Sequence, residues 1–125
     1  MIKMLIKAGK QITRSKILIL GVTFKENCPD IRNTKIVDVY KELKDYSCKI
    51  DLHDPIADKS EIQSLFGKPA ISEINRDEYD AVMICVPHIQ YKKLGFKRIK
   101  SFGKEKCLIF DVKSIFEAEN SVLRL

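Results

Sequence analysis

The sequence lacks several features that assign a protein to a functional class at once. No run of apolar residues approaches the ~20 that a membrane-spanning helix needs. No two of its four cysteines are spaced like the ligands of a zinc knuckle or the pair of a dithiol redox motif. The start, MIKMLIKAGK, has scattered lysines and no small-residue cleavage site, so we expect no secretory signal. We therefore expect a cytoplasmic protein with reduced thiols, no membrane contact and no metal site.

The chain also lacks one broad basic segment, although its net charge is +6. Its 125 residues fit a single domain. Basic side chains concentrate in residues 1–20 and 91–106, and acidic side chains dominate residues 21–90 between them. A protein that binds nucleic acid without sequence preference usually presents one broad basic face. Nucleic acid is therefore not the expected partner, and solvated surface lysines are the favoured interpretation.

Continuous apolar runs alternate with amphipathic stretches along the chain. The pattern predicts strands at 16–21, 49–53, 80–86 and 107–112, with a further extended piece at 69–71. It predicts helices at 2–9, 36–43, 58–66 and 89–99, and one helical turn at 72–77. Such alternation is typical of an α/β fold, here a Rossmann-like open parallel sheet with helices on both faces in a single domain. Ligands bind such sheets at the carboxyl ends of the strands, where the strand order reverses.

The loop after the first strand carries the residues of most chemical interest. A dinucleotide-binding fold usually has G-x-G-x-x-G there, but this chain has Gly21 alone, so we expect that it does not hold NAD by itself. Instead, Phe24 can pack on a sugar or a base, and Lys25 and Arg32 can neutralise phosphate. Asp30 is close enough in sequence to orient Arg32. The residues alone leave open an alternative in which Phe24 belongs to the core and both cations face solvent.

These residues resemble the C-terminal, UDP-binding domain of the UDP-glucose/GDP-mannose dehydrogenase family. The family pattern is a strand, then G-x-x-F-K, then D-x-R, a helix and a strand that ends in D-P. The matching residues are Gly21, Phe24, Lys25, Asp30, Arg32, Asp54 and Pro55. Farther along, V-P-H at 86–88 resembles the family's T-x-H, and D-V-K at 111–113 resembles its D-x-R or D-x-K. The P-D-I-R-N sequence at 29–33 resembles the UDP-N-acetylhexosamine branch more than the UDP-glucose branch.

The resemblance implies a part of an enzyme that oxidises the C6 alcohol of a UDP-sugar to a carboxylate with two NAD molecules. Family enzymes join this domain to an NAD-binding Rossmann domain and to a central domain, which carries the catalytic cysteine and most of the homo-oligomer contacts. The family's G-G-x-C motif is absent here. We therefore expect a fragment without turnover, with residues 1–14 the end of an interdomain linker helix and residues 15–125 the UDP-binding domain.

Carried over residue by residue, the resemblance assigns each matching position a role. Phe24, Lys25 and Lys113 would contact the UDP-sugar, and Arg32 would reach towards NAD. Gly21, Asp30 and Asp54 would support the site. Lys113 stands where many family members have an arginine, and a lysine lacks the planar fork of a guanidinium. No catalytic residue is assigned within this chain.

The remaining candidates receive structural interpretations, and two other functional classes stay open. His88 follows a predicted buried strand but has no carboxylate next to it in sequence, so we interpret it as structural. We assign His53 no function, and we interpret Cys28 as an incidental thiol. One alternative is a stand-alone α/β interaction module that binds a protein or a polyanion through its basic segments. A flavodoxin-like signalling domain is disfavoured, because its strand ends would need an acidic cluster.

Overall fold

A five-stranded sheet forms the centre of the computed structural model, which describes residues 14–113 and the short strand at 122–123. Its strands are β1 (Lys16–Leu20), β2 (Lys49–His53), β3 (Tyr79–Ile84), β4 (Gly103–Asp111) and β5 (Val122–Leu123). They lie in the order β2-β1-β3-β4-β5, and every neighbouring pair is parallel. The chain passes from β1 to β2 on one side and then to β3 on the other, so the strand order reverses beside β1. The predicted Rossmann-like parallel sheet is confirmed.

Helices cover both faces of the sheet, as predicted. They are α1 (Ile36–Asp45), α2 (Lys59–Phe66), α3 (Ile89–Leu94) and α4 (Phe96–Lys100). Strand β1 has no exposed surface from Ile17 to Leu20, because its alternate side chains enter two different cores. Ile17 and Ile19 pack on the face of α1 and α2, whereas Leu18 and Leu20 pack on the face of α3 and α4. Burial on both faces explains the uninterrupted apolar run that marks this strand in the sequence.

The chain that connects α2 to β3 differs from the prediction. Residues 69–71 form no strand, and residues 72–77 form no helix. Instead, the Ile71 backbone N–H donates one hydrogen bond to the Leu52 carbonyl oxygen, at 2.8 Å, and the Lys68 amine donates to the carbonyl oxygen of Ile50. A single backbone contact does not make a ladder, so this segment covers the edge of β2 without extending the sheet.

The second half of the chain shows two smaller differences. The predicted helix at 89–99 is divided into α3 and α4 by Gly95, whose φ of +83° lies outside the helical region. Strand β4 begins at Gly103 rather than at residue 107, because Gly103 already pairs with Tyr79. A register shift follows, in which the charged residues 104–106 have no partner in the β3 register before Leu108 pairs with Ala81. The short strand β5 was not predicted, and the helix predicted at 2–9 lies outside the described residues.

Gly21 lets the exits of three strands approach one another closely. Its backbone has φ +91°, a region that side chains disfavour, and its N–H donates to the His53 carbonyl oxygen at 2.8 Å. A Cβ atom at this position would lie 2.6 Å from the Cβ of Val86. The supporting role predicted for Gly21 therefore has a steric basis at this edge of the sheet.

Replacing Gly21 with alanine should destabilise the fold more than the same change at another glycine of positive φ. We expect Gly21→Ala to lower the free energy of unfolding by about 3 kcal/mol or more, from the left-handed backbone and the steric overlap together. Gly67→Ala is the matched control, since Gly67 has φ +74° and no heavy atom within 4 Å of a built Cβ. It should cost about 1 kcal/mol. Urea unfolding followed by circular dichroism measures both, and equal losses would contradict this interpretation.

Candidate functional site

The carboxylate of Asp54 lies buried at the carboxyl edge of the sheet and accepts four hydrogen bonds. Its Oδ2 accepts from the Val22 backbone N–H at 2.8 Å and from His88 Nε2 at 2.9 Å. Its Oδ1 accepts from the backbone N–H groups of Ile56 and Ala57, both at 3.0 Å. One side chain at the end of β2 thus connects the loop after β1 with the loop after β3.

His88 has no exposed surface, and its partners fix its tautomer. The Asn27 backbone N–H lies 2.9 Å from Nδ1, and because that group can only donate, Nδ1 carries no hydrogen. Nε2 therefore carries the hydrogen and donates to Asp54. The Thr23 hydroxyl oxygen lies 3.2 Å from the same Nε2, and that hydroxyl donates to the Lys25 carbonyl oxygen at 3.0 Å.

Hydrogen bonding keeps Asp54 ionised despite its burial. Burial by itself raises the pKa of this carboxyl group, since it penalises the charged form. The hydrogen bonds from His88 and from the backbone of Val22 and Ile56 outweigh that effect and hold the pKa below its usual value. The loops that follow β1, β2 and β3 therefore meet around an ionised carboxylate.

The loop after β1 closes on itself and is attached to the start of α3. The Phe24 N–H donates to the Asp30 carbonyl oxygen at 2.8 Å. Asn27, at φ +60°, accepts the Ile89 N–H on its side-chain oxygen at 2.8 Å while its own N–H binds His88. These contacts direct the segment between Thr23 and Asn27 away from the sheet.

Phe24 and Lys25 project from this loop into solvent. The Phe24 side chain is 58% exposed, which excludes the alternative that it belongs to the core. Lys25 is exposed, and its amine has no hydrogen-bond or ion-pair partner among the residues that the structure describes. An exposed aromatic ring and an exposed cation therefore occupy neighbouring positions of the chain where the strand order reverses.

Asp30 fixes the direction of the Arg32 guanidinium. Arg32 Nε lies 3.0 Å from Asp30 Oδ1 and Nη2 lies 3.0 Å from Oδ2, a two-point ion pair. The guanidinium lowers the pKa of Asp30, and that carboxylate raises the pKa of Arg32. Arg32 nevertheless remains 86% exposed in its side chain. It is oriented by Asp30 and still open to a ligand.

Lys113 lies at the same edge but farther along the sheet. It is exposed just after β4, whose last residue, Asp111, pairs with Ile84 and is buried. Strand β3 lies between β4 and β1. Within the described part of the chain, no hydrogen bond or ion pair joins Lys113 to the Phe24–Lys25 segment. The structure thus places both predicted cations on one edge without bringing them into contact.

An open cavity of about 1050 Å³ lies beside Arg32, between the loop after β1 and helices α1 and α2. Its walls contain one guanidinium and several carboxylates. The charged residues are Arg32, Asp30, Asp38, Asp58 and Glu61. Such a negative lining disfavours phosphate inside the cavity.

The described residues hold neither a metal cluster nor a membrane span. Between residues 14 and 113, no three His, Cys, Asp or Glu side chains are grouped to hold an ion. No helix in the same range is both long and apolar enough to cross a bilayer.

Comparison with known proteins assigns the family. The sequence model described as the UDP-glucose/GDP-mannose dehydrogenase family, UDP binding domain, matches residues 18–118. The chain belongs to this family. It is 48% identical, over its whole length, to the UDP-N-acetyl-D-glucosamine 6-dehydrogenase of Salmonella typhi and covers 29% of that protein. It is 32% identical to the enzyme of the same name from Pseudomonas aeruginosa, with 100% of this chain and 30% of the relative covered. The chain thus spans about three tenths of the length of these relatives.

Solved structures of dehydrogenases share the fold. The UDP-D-ManNAc dehydrogenase from Pyrococcus horikoshii superposes with a TM-score of 0.73 at 19% identity, over 93% of this chain and 26% of that one. The UDP-N-acetyl-mannosamine dehydrogenase Cap5O from S. aureus gives 0.65 at 21% identity, over 98% and 29%. At such identities the likeness shows the fold alone.

Sequence reasoning missed the pairing of His88 with Asp54 in this UDP-binding domain. The carboxylate stands 34 positions earlier in the chain, so no local motif joins the two. A signal was present, because both residues follow strands predicted in a parallel sheet, and carboxyl ends of parallel strands share one edge. The role of Asn27 had no signal, since it depends on the course of a loop.

The free energy of unfolding should depend on pH through the ionisation of Asp54. Because its pKa is lower in the folded chain than in the unfolded chain, its stabilisation is present above the unfolded pKa, about 3.9, and is lost as the pH falls through the folded value. Asp54→Asn should cost about 3 kcal/mol at pH 7, because the new amide donors would face the donors on Val22 and His88.

Urea unfolding between pH 7 and pH 3 measures this effect. Asp54→Asn should flatten the acid-side decrease in unfolding free energy. Asp45→Asn is the control, since Asp45 is exposed and should leave the profile unchanged. Parallel profiles for wild type and Asp54→Asn would contradict the role of this carboxylate.

Proposed function

We propose that this chain is the nucleotide-sugar-binding part of an NAD-dependent UDP-sugar 6-dehydrogenase. The observation that carries the proposal is the exposed Phe24–Lys25 pair, held at the reversal of strand order by the buried Asp54–His88 hydrogen bond. Membership of the family supports it. The enzyme would oxidise the C6 alcohol of its substrate to a carboxylate in a cytoplasmic reaction.

The two exposed side chains suit the two parts of a UDP-sugar. The Lys25 amine would neutralise the diphosphate. It is available for this contact because no carboxylate among the described residues pairs with it. The Phe24 ring would pack on the uridine or on the sugar, offering apolar surface that solvent now covers. Lys113 would supply a second cation from the same edge, as a point charge rather than a fork.

We infer a UDP-N-acetylhexosamine as the substrate. The two relatives that are 48% and 32% identical both carry the name UDP-N-acetyl-D-glucosamine 6-dehydrogenase. The UDP-glucose 6-dehydrogenase of Rhizobium meliloti is 29% identical, and that of Gallus gallus is 27% identical. Both UDP-N-acetyl-D-glucosamine enzymes are thus more similar to this chain than these two UDP-glucose enzymes are.

Arg32 would assist NAD, which other parts of the enzyme would hold. Its guanidinium is paired with Asp30 and still exposed, so it would donate hydrogen bonds to polar groups of NAD rather than neutralise a diphosphate. The chain offers no glycine-rich turn that would bind a dinucleotide alone. When bound, NAD supplies the hydride acceptor. This chain would orient the UDP-sugar. It would also present Arg32 across the cleft between this domain and the NAD-binding domain of the enzyme.

A titration followed by two-dimensional amide NMR tests the proposal. UDP and UDP-N-acetylglucosamine should shift the amides of residues 21–34 and 112–113, and Lys25→Ala should weaken binding about tenfold, a loss of about 1.4 kcal/mol. Lys49→Ala is the matched control, because Lys49 is exposed at the first residue of β2, at the opposite end of the strand from the proposed site. It should bind as wild type does.

Three results would contradict the proposal. Shifts with NAD alone would assign the chain to the cofactor. Equal weakening by Lys25→Ala and Lys49→Ala would indicate diffuse electrostatics. No amide shifts with UDP, UDP-N-acetylglucosamine or NAD would favour the alternative of an interaction module. The basic segment at 91–106 would then be the next candidate binding surface.

The isolated chain should not turn over. With UDP-N-acetylglucosamine and NAD together we expect no NADH, because the chain has no glycine-rich turn to hold NAD and lacks the G-G-x-C motif that carries the family's catalytic cysteine. Absorbance of NADH measures this directly. Sustained NADH formation that scales with chain concentration would overturn the division of labour proposed here.

A further inference from the structure

We propose that His88 is a positioning residue, which sets the conformation of the Phe24–Lys25 loop through its two ring nitrogens. The inference deepens the proposed function and rests on it, since it concerns the loop that would bind the UDP-sugar. His88 itself is fully buried and would not touch the ligand.

The ring of His88 connects the Asp54 carboxylate to the backbone of Asn27. On one side Nε2 donates to Asp54, whose Oδ2 also holds the Val22 N–H at the start of the loop. On the other side Nδ1 accepts the N–H of Asn27, four residues after Thr23. The imidazole therefore fixes both ends of the exposed segment relative to the sheet.

Other hydrogen bonds also restrain the exposed segment. The Phe24 backbone N–H donates to the Asp30 carbonyl oxygen, and the Thr23 hydroxyl donates to the Lys25 carbonyl oxygen. At the two ends, the Thr34 hydroxyl donates to the Thr23 carbonyl oxygen, and the Ile89 N–H donates to the Asn27 side-chain oxygen. The Phe24 and Lys25 side chains have no hydrogen-bond or ion-pair partner among the described residues. Their placement thus depends on the backbone of the segment, which His88 helps to hold at both ends.

The tautomer is essential to this role. Asn27 presents a donor, and Asp54 presents an acceptor, so only an unprotonated Nδ1 together with a protonated Nε2 satisfies both. Asparagine places an amide oxygen near the position of Nδ1, and glutamine extends an amide N–H₂ towards the position of Nε2. His88→Asn therefore keeps an acceptor for Asn27, whereas His88→Gln keeps a donor for Asp54 and loses that acceptor.

The two variants separate positioning from general stability. Both remove part of a buried ring, and we expect both to unfold at lower urea concentration. If His88 positions the loop, His88→Gln should shift the amides of Asn27 and Phe24 and weaken UDP binding about tenfold, while His88→Asn should weaken it less than about threefold. Equal UDP affinity in the two variants at matched folded fraction would overturn the proposal.

A measurement on the unmodified chain covers the case in which a variant fails to fold. The ¹⁵N spectrum of the imidazole should show a His88 with hydrogen on Nε2 and none on Nδ1 at neutral pH. Hydrogen on Nδ1 would overturn the proposal, because the acceptor for Asn27 would not exist. If wild type binds no UDP, the proposed function fails, whereas the imidazole spectrum and the Asn27 shift still decide whether His88 positions the loop.

Discussion

The hydrogen bond between Asp54 and His88 joins the ends of the two strands that flank β1. A buried carboxylate is costly unless donors surround it, and here four hydrogen bonds reach its two oxygens. Those donors come from the loops after β1, β2 and β3, so satisfying one charge fixes three loops at once. Gly21 makes the arrangement possible, because any side chain there would collide with Val86. The exposed segment that follows β1 is therefore attached to the sheet by the hydrogen bonds around Asp54.

Charge divides the carboxyl edge of the sheet into two different surfaces. On the loop, Lys25 offers a cation with no partner among the described residues and lies beside an exposed ring. In the adjacent cavity of about 1050 Å³, carboxylates outnumber the single guanidinium of Arg32, which is itself paired with Asp30. A diphosphate would meet attraction on the loop and repulsion in the cavity. This contrast is why we propose the Phe24–Lys25 segment, rather than the cavity, as the binding site of the UDP-sugar.

The sequence predicted the sheet well because its inner strands are buried on both faces, which leaves continuous apolar runs such as residues 17–20. It predicted irregular pieces poorly, because a single contact, such as that of Ile71 with β2, leaves no periodic pattern. The residues alone left open whether Phe24 lies in the core, and only the family resemblance favoured an exposed position. Local spacing was enough to pair Asp30 with Arg32. The pairing of His88 with Asp54 required the strand order, which no local pattern contains. Loop geometry at Asn27 depends on a left-handed backbone that asparagine tolerates but does not dictate.

A chain that spans about three tenths of its relatives would present only one side of a composite site. Its contribution would be a preformed surface for the nucleotide sugar, while the hydride transfer would take place across a cleft. Intermolecular nuclear Overhauser effects between bound UDP-N-acetylglucosamine and this chain test that claim most directly. We expect contacts from uridine or sugar protons to the Phe24 ring. Contacts confined to Val37 and Leu65, inside the carboxylate-lined cavity, would contradict the account.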